Sequence, residues 1–186
     1  MNEPIFALNN STENLGARLL KQRTVLVFGA LNEELSSKVI SSLLYLAAED
    51  AEKPIELLIN SVGGDETEAL AIFDMMQAIP CPIHTVCVGK AHGMAAVLLA
   101  GGQKGERKIY ANGEVMLTQV GRDRTFGQAS DIELETEHLL NVKERVADLL
   151  AKLTEMPKDK IEANLERKHW MFADQALAYG LVDKVI

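Results

Sequence analysis

Three times in its first hundred residues the chain runs from a stretch of β-branched and aliphatic residues, through a glycine-containing turn, into a helical pattern. TVLVFG leads to NEELSSKVISSLLYLAAED, IELLINSVGG to DETEALAIFDMMQAI, and IHTVCVGKAHG to MAAVLLAGG. Strands and helices alternating at this spacing bury their apolar faces by forming a mainly parallel sheet covered with helices, so the fold class is α/β. Strands are expected at residues 24–28, 55–60 and 83–89. Leu35, Val39, Leu43 and Leu46 share one helical face behind an Asn32 cap, and Ala69, Ile72, Phe73, Met76 and Ile79 share another. Sites in such sheets lie beyond the carboxyl ends of the strands. The turns at Gly63-Gly64 and at Gly93 are therefore where chemistry is expected.

The second half is less regular. Short strands are expected around Lys108 and at residues 115–117, followed by the polar loop QVGRDRTFGQAS and one long helix over about 131–154. In that helix Ile132, Leu139, Val146 and Leu153, with Val142 and Leu149, recur at heptad spacing. A helix of this length outreaches a small domain. The pattern weighs a seam packed on another copy equally with a helix lying across its own core. A helix, a short strand, a helix closed at Gly180 and a last strand complete the chain. No repeat, low-complexity tract or linker interrupts it, and 186 residues form one expected domain, 1–186.

A formal net charge of -8 repels polyanions, which argues against nucleic acid or an anionic membrane as partner. No apolar run approaches the roughly 20 residues that span a bilayer, and MNEPIFALNNSTENLG lacks the regions of a signal peptide. The expected location is cytoplasmic. Cys81 and Cys87 are the only cysteines and lie along one strand, too far apart to bridge. With no CxxC and no clustered histidines, neither a disulfide nor a zinc site is expected, and no cofactor is implied.

LLKQR, INSVGGDETEALAIFDMMQAI, KGERKIYANGEVML, FGQASDIE and MFADQALAYGLVDKV follow one another in the order of the Clp protease proteolytic subunit, and from about Leu15 to Ile186 the chain resembles the ClpP family. The resemblance implies a ClpP/crotonase-like fold of stacked ββα units, with the long helix as a protruding handle based on FGQASDIE. It also implies a serine peptidase site, and there the match fails. The family's nucleophile lies in a GQAASMGA-like stretch that here reads GKAHGMAA, placing Gly93 at the serine. Its histidine lies in a MIHQP-like stretch that reads MLTQV, offering Thr118. Its aspartate position in ERKHWMFA is Lys168.

A triad needs a hydroxyl or thiol to attack, an imidazole to take the proton, and a carboxylate to orient that imidazole. Gly93 cannot attack, Thr118 is no base near neutral pH, and Lys168 is cationic where an anion is required. The oxyanion donors implied by the resemblance are backbone N–H groups, at Gly64 and Met94, and these persist whatever the side chain. Val62 replaces the family's proline beside them. His92 neighbours Gly93, His169 neighbours Lys168, and Cys87 lies inside the third strand; all three are read as structural residues. A dyad of Thr118 with Lys168 is the remaining catalytic arrangement.

The reading is a catalytically inactive ClpP-like subunit, comparable to ClpR, in stacked seven-membered rings, homo- or hetero-oligomeric, with an active ClpP and an AAA+ unfoldase as partners. The alternatives are an active peptidase with an unfamiliar residue set, and a crotonase-type acyl-CoA enzyme using Asp65 or Glu66 beside the oxyanion pocket. Positions that carry aromatic residues in the family's unfoldase-docking pocket read Glu56, Leu58, Ala78 and Lys108.

Overall fold

The computed structural model describes residues 15–119, 121 and 128–186. Most of the QVGRDRTFG loop, including the first two residues of FGQASDIE, and the polar start of the chain lie outside the described residues. The expected alternation is present: α1 (Leu15–Lys21), β1 (Thr24–Leu31), α2 (Glu33–Glu49), β2 (Ile55–Gly64), α3 (Glu66–Ala78), β3 (Ile83–His92) and α4 (Met94–Ala100). Each of the three strands runs a few residues past its expected end, because parallel pairing continues into the turns: Leu31 pairs with Gly64, and Ser61 with Ala91. Asn32 caps α2 as expected, its Oδ1 accepting the Leu35 N–H at 2.9 Å.

The sheet order is β1-β2-β3-β4-β7, every neighbouring pair parallel, where β4 is Arg107–Ile109 and β7 Lys184–Val185. The sheet forks along β3. Its Thr85 to Cys87 pair with β4, whereas Lys90 to His92 pair with β5 (Glu114–Leu117), which carries the antiparallel β6 (His169–Phe172) on its far side. The fork delivers the end of β3 and the end of β5 to one place. One sheet face holds the core: Val25, Val27, Ile55, Leu57 and Ile59 alternate inward against Leu43 and Leu46 of α2, Ile72 of α3 and Leu98 of α4. Burying each such side chain contributes roughly 1.5–3 kcal/mol.

The long helix, α5 (Ala129–Thr154), starts two residues before its expected first turn and spans about 39 Å at the usual 1.5 Å rise. Its two halves behave differently. Val146, Ala147 and Leu150 are buried, and Val142, Leu149 and Leu153 pack beside them on the core of this same chain. Of the two arrangements weighed for this helix, its second half takes the one across its own core: the heptad spacing past Val142 serves intrachain packing on α4 and on α6 (Lys158–Leu165). Only the first half stands off, with Ile132, Leu134 and Leu140 exposed.

The ends of several elements meet at one ion pair. Arg107 Nε and Nη2 donate to the two Asp183 carboxylate oxygens at 2.9 and 2.6 Å, and Nη1 donates to the carbonyls of Ala100 and Leu153. Asp183 also accepts the backbone N–H groups of Gly105 and Arg107. Burial works against ionisation of Asp183, but these bonds outweigh it and hold its carboxyl below the ordinary value. One guanidinium thus ties α4, α5 and β4 to the C-terminal strand.

Candidate functional site

At the end of β3 the chain turns through Gly93, with φ 53° and ψ -123°, straight into α4. Most residues with a Cβ avoid that backbone conformation. The Gly93 N–H donates to the Met116 carbonyl at 2.8 Å, which pins the turn to β5. Across from it β2 ends in two glycines whose space is taken by backbone. A Cβ on Gly63 would lie 2.6 Å from the His92 carbonyl oxygen, and one on Gly64 would lie 2.2 Å from that of Leu31. The double glycine therefore lets β2 close on β1 and on the β3 turn at once.

Between these turns lies a cavity of about 160 Å³, lined among others by Gly63, Gly64, Glu66, Gly93, Met94 and Thr118. Thr118 directly follows β5 and is half-buried. Its Cγ2 is the neighbour that a Cβ at Gly93 would meet, at an ordinary 3.6 Å. Two residues 25 apart in sequence and expected to share a site thus face one another, together with the segments that carry the Gly64 and Met94 N–H groups. Lys168 is not among the residues lining the cavity. It is exposed and immediately precedes β6. The last β5–β6 pair is Leu117 with His169, so one further step of that register would set Thr118 across from Lys168.

The neighbouring titratable groups have other partners. His92 is buried, with Nε2 3.0 Å from a Glu114 carboxylate oxygen and its ring edge-on to Trp170 at a centroid distance of 4.9 Å. That arrangement depends on β5 and β6 pairing beside β3, and no local pattern in the sequence signals it. His169 leans on Tyr179. Cys87 is fully buried, and burial together with the Glu114 charge pushes its thiol up to about 12. Such a thiol is a core residue, not a nucleophile.

Of the two carboxylates named for an acyl-CoA chemistry, Asp65 is committed elsewhere, its Oδ1 accepting the Thr67 and Glu68 N–H groups at the start of α3. Glu66 does line the cavity. Among the described residues no three His, Cys, Asp or Glu side chains are grouped to share a metal ion, and no helix is long and apolar enough to cross a membrane.

On the sheet face opposite the core, Leu26, Leu58, Val86, Lys108 and Lys184 form one row across five strands. Leu58 and Lys108 are half-buried there, while Glu56, two residues before Leu58 and on the same face, and Ala78 at the end of α3 are exposed. Glu106 bridges Lys184 at 2.9 Å and Lys108 at 3.1 Å, and those two bonds pull its carboxyl down to about 2. The row is aliphatic at one end and charged at the other. A family model described as Clp protease matches residues 8–186 of the chain.

Proposed function

The chain belongs to the Clp protease family, whose α/β fold it has, and from that premise we propose that it is a catalytically inactive ClpP-like subunit of an ATP-dependent Clp protease complex. One observation carries the proposal. The turn that would present a nucleophile holds Gly93, and the described residues that line the cavity beside it, Glu66 and Thr118 among them, include no histidine and no cysteine. A hydroxyl with no adjacent base is a weak nucleophile. The rival peptidase, in which Lys168 activates Thr118, is disfavoured by the exposure of Lys168 outside the cavity lining.

What remains is a structural or regulatory role in a chamber of stacked heptameric rings, homo- or hetero-oligomeric, located in the cytoplasm and worked by an AAA+ unfoldase. The exposed apolar residues of the first half of α5, Ile132, Leu134 and Leu140, suit contact with a second ring. The strand, turn and helix at Gly93 are kept because they also hold β3 to β5.

The outer sheet face bears on the unfoldase. Glu56, Leu58, Ala78 and Lys108 stand where the family's docking pocket has aromatic residues, and Lys108 is already engaged by Glu106. An apolar anchor seated there loses aromatic contact and desolvates charge, each loss costing on the order of 1–3 kcal/mol. In a particle formed with an active ClpP, the unfoldase is therefore expected on the partner's ring. Native mass spectrometry of the coexpressed pair, followed by electron microscopy with the unfoldase, tests both points. The expected particle contains both chains, and a hexamer seated on a ring of this chain alone would overturn the docking argument.

A further inference from the structure

The cavity beside Gly93 contains a charge that suits neither an oxyanion pocket nor an idle one. Glu66 is 9 % exposed and lines the cavity, and it has no hydrogen-bond or ion-pair partner among the described residues. Among those residues no fully enclosed side-chain oxygen or nitrogen lacks a partner, so the unpaired carboxylate of this cavity-lining residue is not sealed off. No Lys, Arg or His is among the described residues that line the space. A carboxylate on so buried a residue, with no partner of its own, is best matched by a cationic hydrogen-bond donor. The same charge opposes any oxyanion that Gly64 and Met94 would otherwise hold.

We infer that Glu66 has converted this cavity into a binding site for a primary ammonium group on a short aliphatic stem. The volume of about 160 Å³ equals roughly five waters at about 30 Å³ each, enough for such a group and too small for a bulky ligand. The ammonium would donate to Glu66 while its stem lies against Met94 and Val62. In a proteolytic chamber two sources offer this chemistry: the side chain of lysine and the free α-ammonium of a peptide product. The inference rests on reading the cavity as an oxyanion pocket that has lost its chemistry, but its test measures binding and not hydrolysis.

The test is a methyl-NMR titration of the assembled protein, labelled at the methionine and threonine methyls and followed at Met94 and Thr118. n-Propylammonium is expected to shift both signals saturably, whereas acetate at equal ionic strength leaves them in place. Glu66→Gln, which keeps the shape and removes the charge, is expected to weaken the n-propylammonium response at least about tenfold, as befits loss of a charge-assisted bond. Alaninamide and Nα-acetyl-lysine methylamide then separate the sources, the one carrying only an α-ammonium and the other only a side-chain ammonium. Acetate shifting Met94 as strongly as n-propylammonium, or Glu66→Gln retaining full affinity, would overturn the inference. The wild-type comparison needs no variant to fold. A chain found to hydrolyse peptides would overturn the proposed function and leave this titration standing, while a flat titration would do the reverse.

Discussion

Gly93→Ser, Thr118→His and Lys168→Asp together are expected to turn an inert chain into at least a weak peptidase, since the Gly64 and Met94 N–H groups are already in place and such donors with binding alone are worth about a thousandfold over water. The space exists: a Cβ at Gly93 meets only Thr118 Cγ2, at 3.6 Å. The conformation, φ 53°, is strained for any residue but glycine, at about 1–3 kcal/mol, and strained turns of this kind commonly present a nucleophile. The β5–β6 register would bring Asp at 168 across from His at 118. Glu66 should limit the gain, since an unpaired negative charge beside the oxyanion raises the barrier, so adding Glu66→Gln is expected to raise the rate a further tenfold or so. Hydrolysis of one fluorogenic peptide by the wild-type, triple and quadruple proteins measures both effects. A folded, assembled quadruple variant that stays inert would show that the pocket itself has lost its complementarity to the transition state.

Arg107→Met is expected to destabilise the fold by about 3–5 kcal/mol, because it leaves the Asp183 carboxylate largely buried without its cation. The carbonyls of Ala100 and Leu153 lose their donor at the same time. Arg107→Met with Asp183→Leu should be milder than Arg107→Met alone, since no charge is then left uncompensated. The pH dependence has a definite sign. The folded-state carboxyl of Asp183 lies below its unfolded value, near 4, so its contribution is present above about pH 4 and is lost as pH falls through the lower folded value. Denaturant midpoints measured from pH 7 down to pH 3 check this: wild type should lose stability over the acid end of that range, and Asp183→Asn should start lower and fall less steeply.

The strand, glycine and helix units were legible because each is written in local residues: alternating inward aliphatics, a cap such as Asn32, and glycines where backbones touch. The facing of Gly93 and Thr118 followed only from the family resemblance, since their meeting requires β3 to fork between β4 and β5. The division of α5 was not legible, because a heptad stripe reads the same whether it meets its own core or another copy. Nor was the state of Glu66 within the site. The acidic pair Asp65-Glu66 looks like an ordinary helix start, and in part it is one, with Asp65 capping α3. Which of the two residues lines the cavity depends on how closely β2 approaches the β3 turn, and that is a tertiary property.

The central claim, that this Clp family chain carries no peptidase chemistry of its own, is tested most directly by treating the highly purified protein with a serine-directed fluorophosphonate and mapping any adduct by mass spectrometry, with fluorogenic peptide turnover measured on the same sample. The account predicts no adduct on any residue of this chain and no turnover above background, in the wild type and in Thr118→Ala alike. An adduct mapped to Thr118, with turnover that Thr118→Ala abolishes, would contradict it.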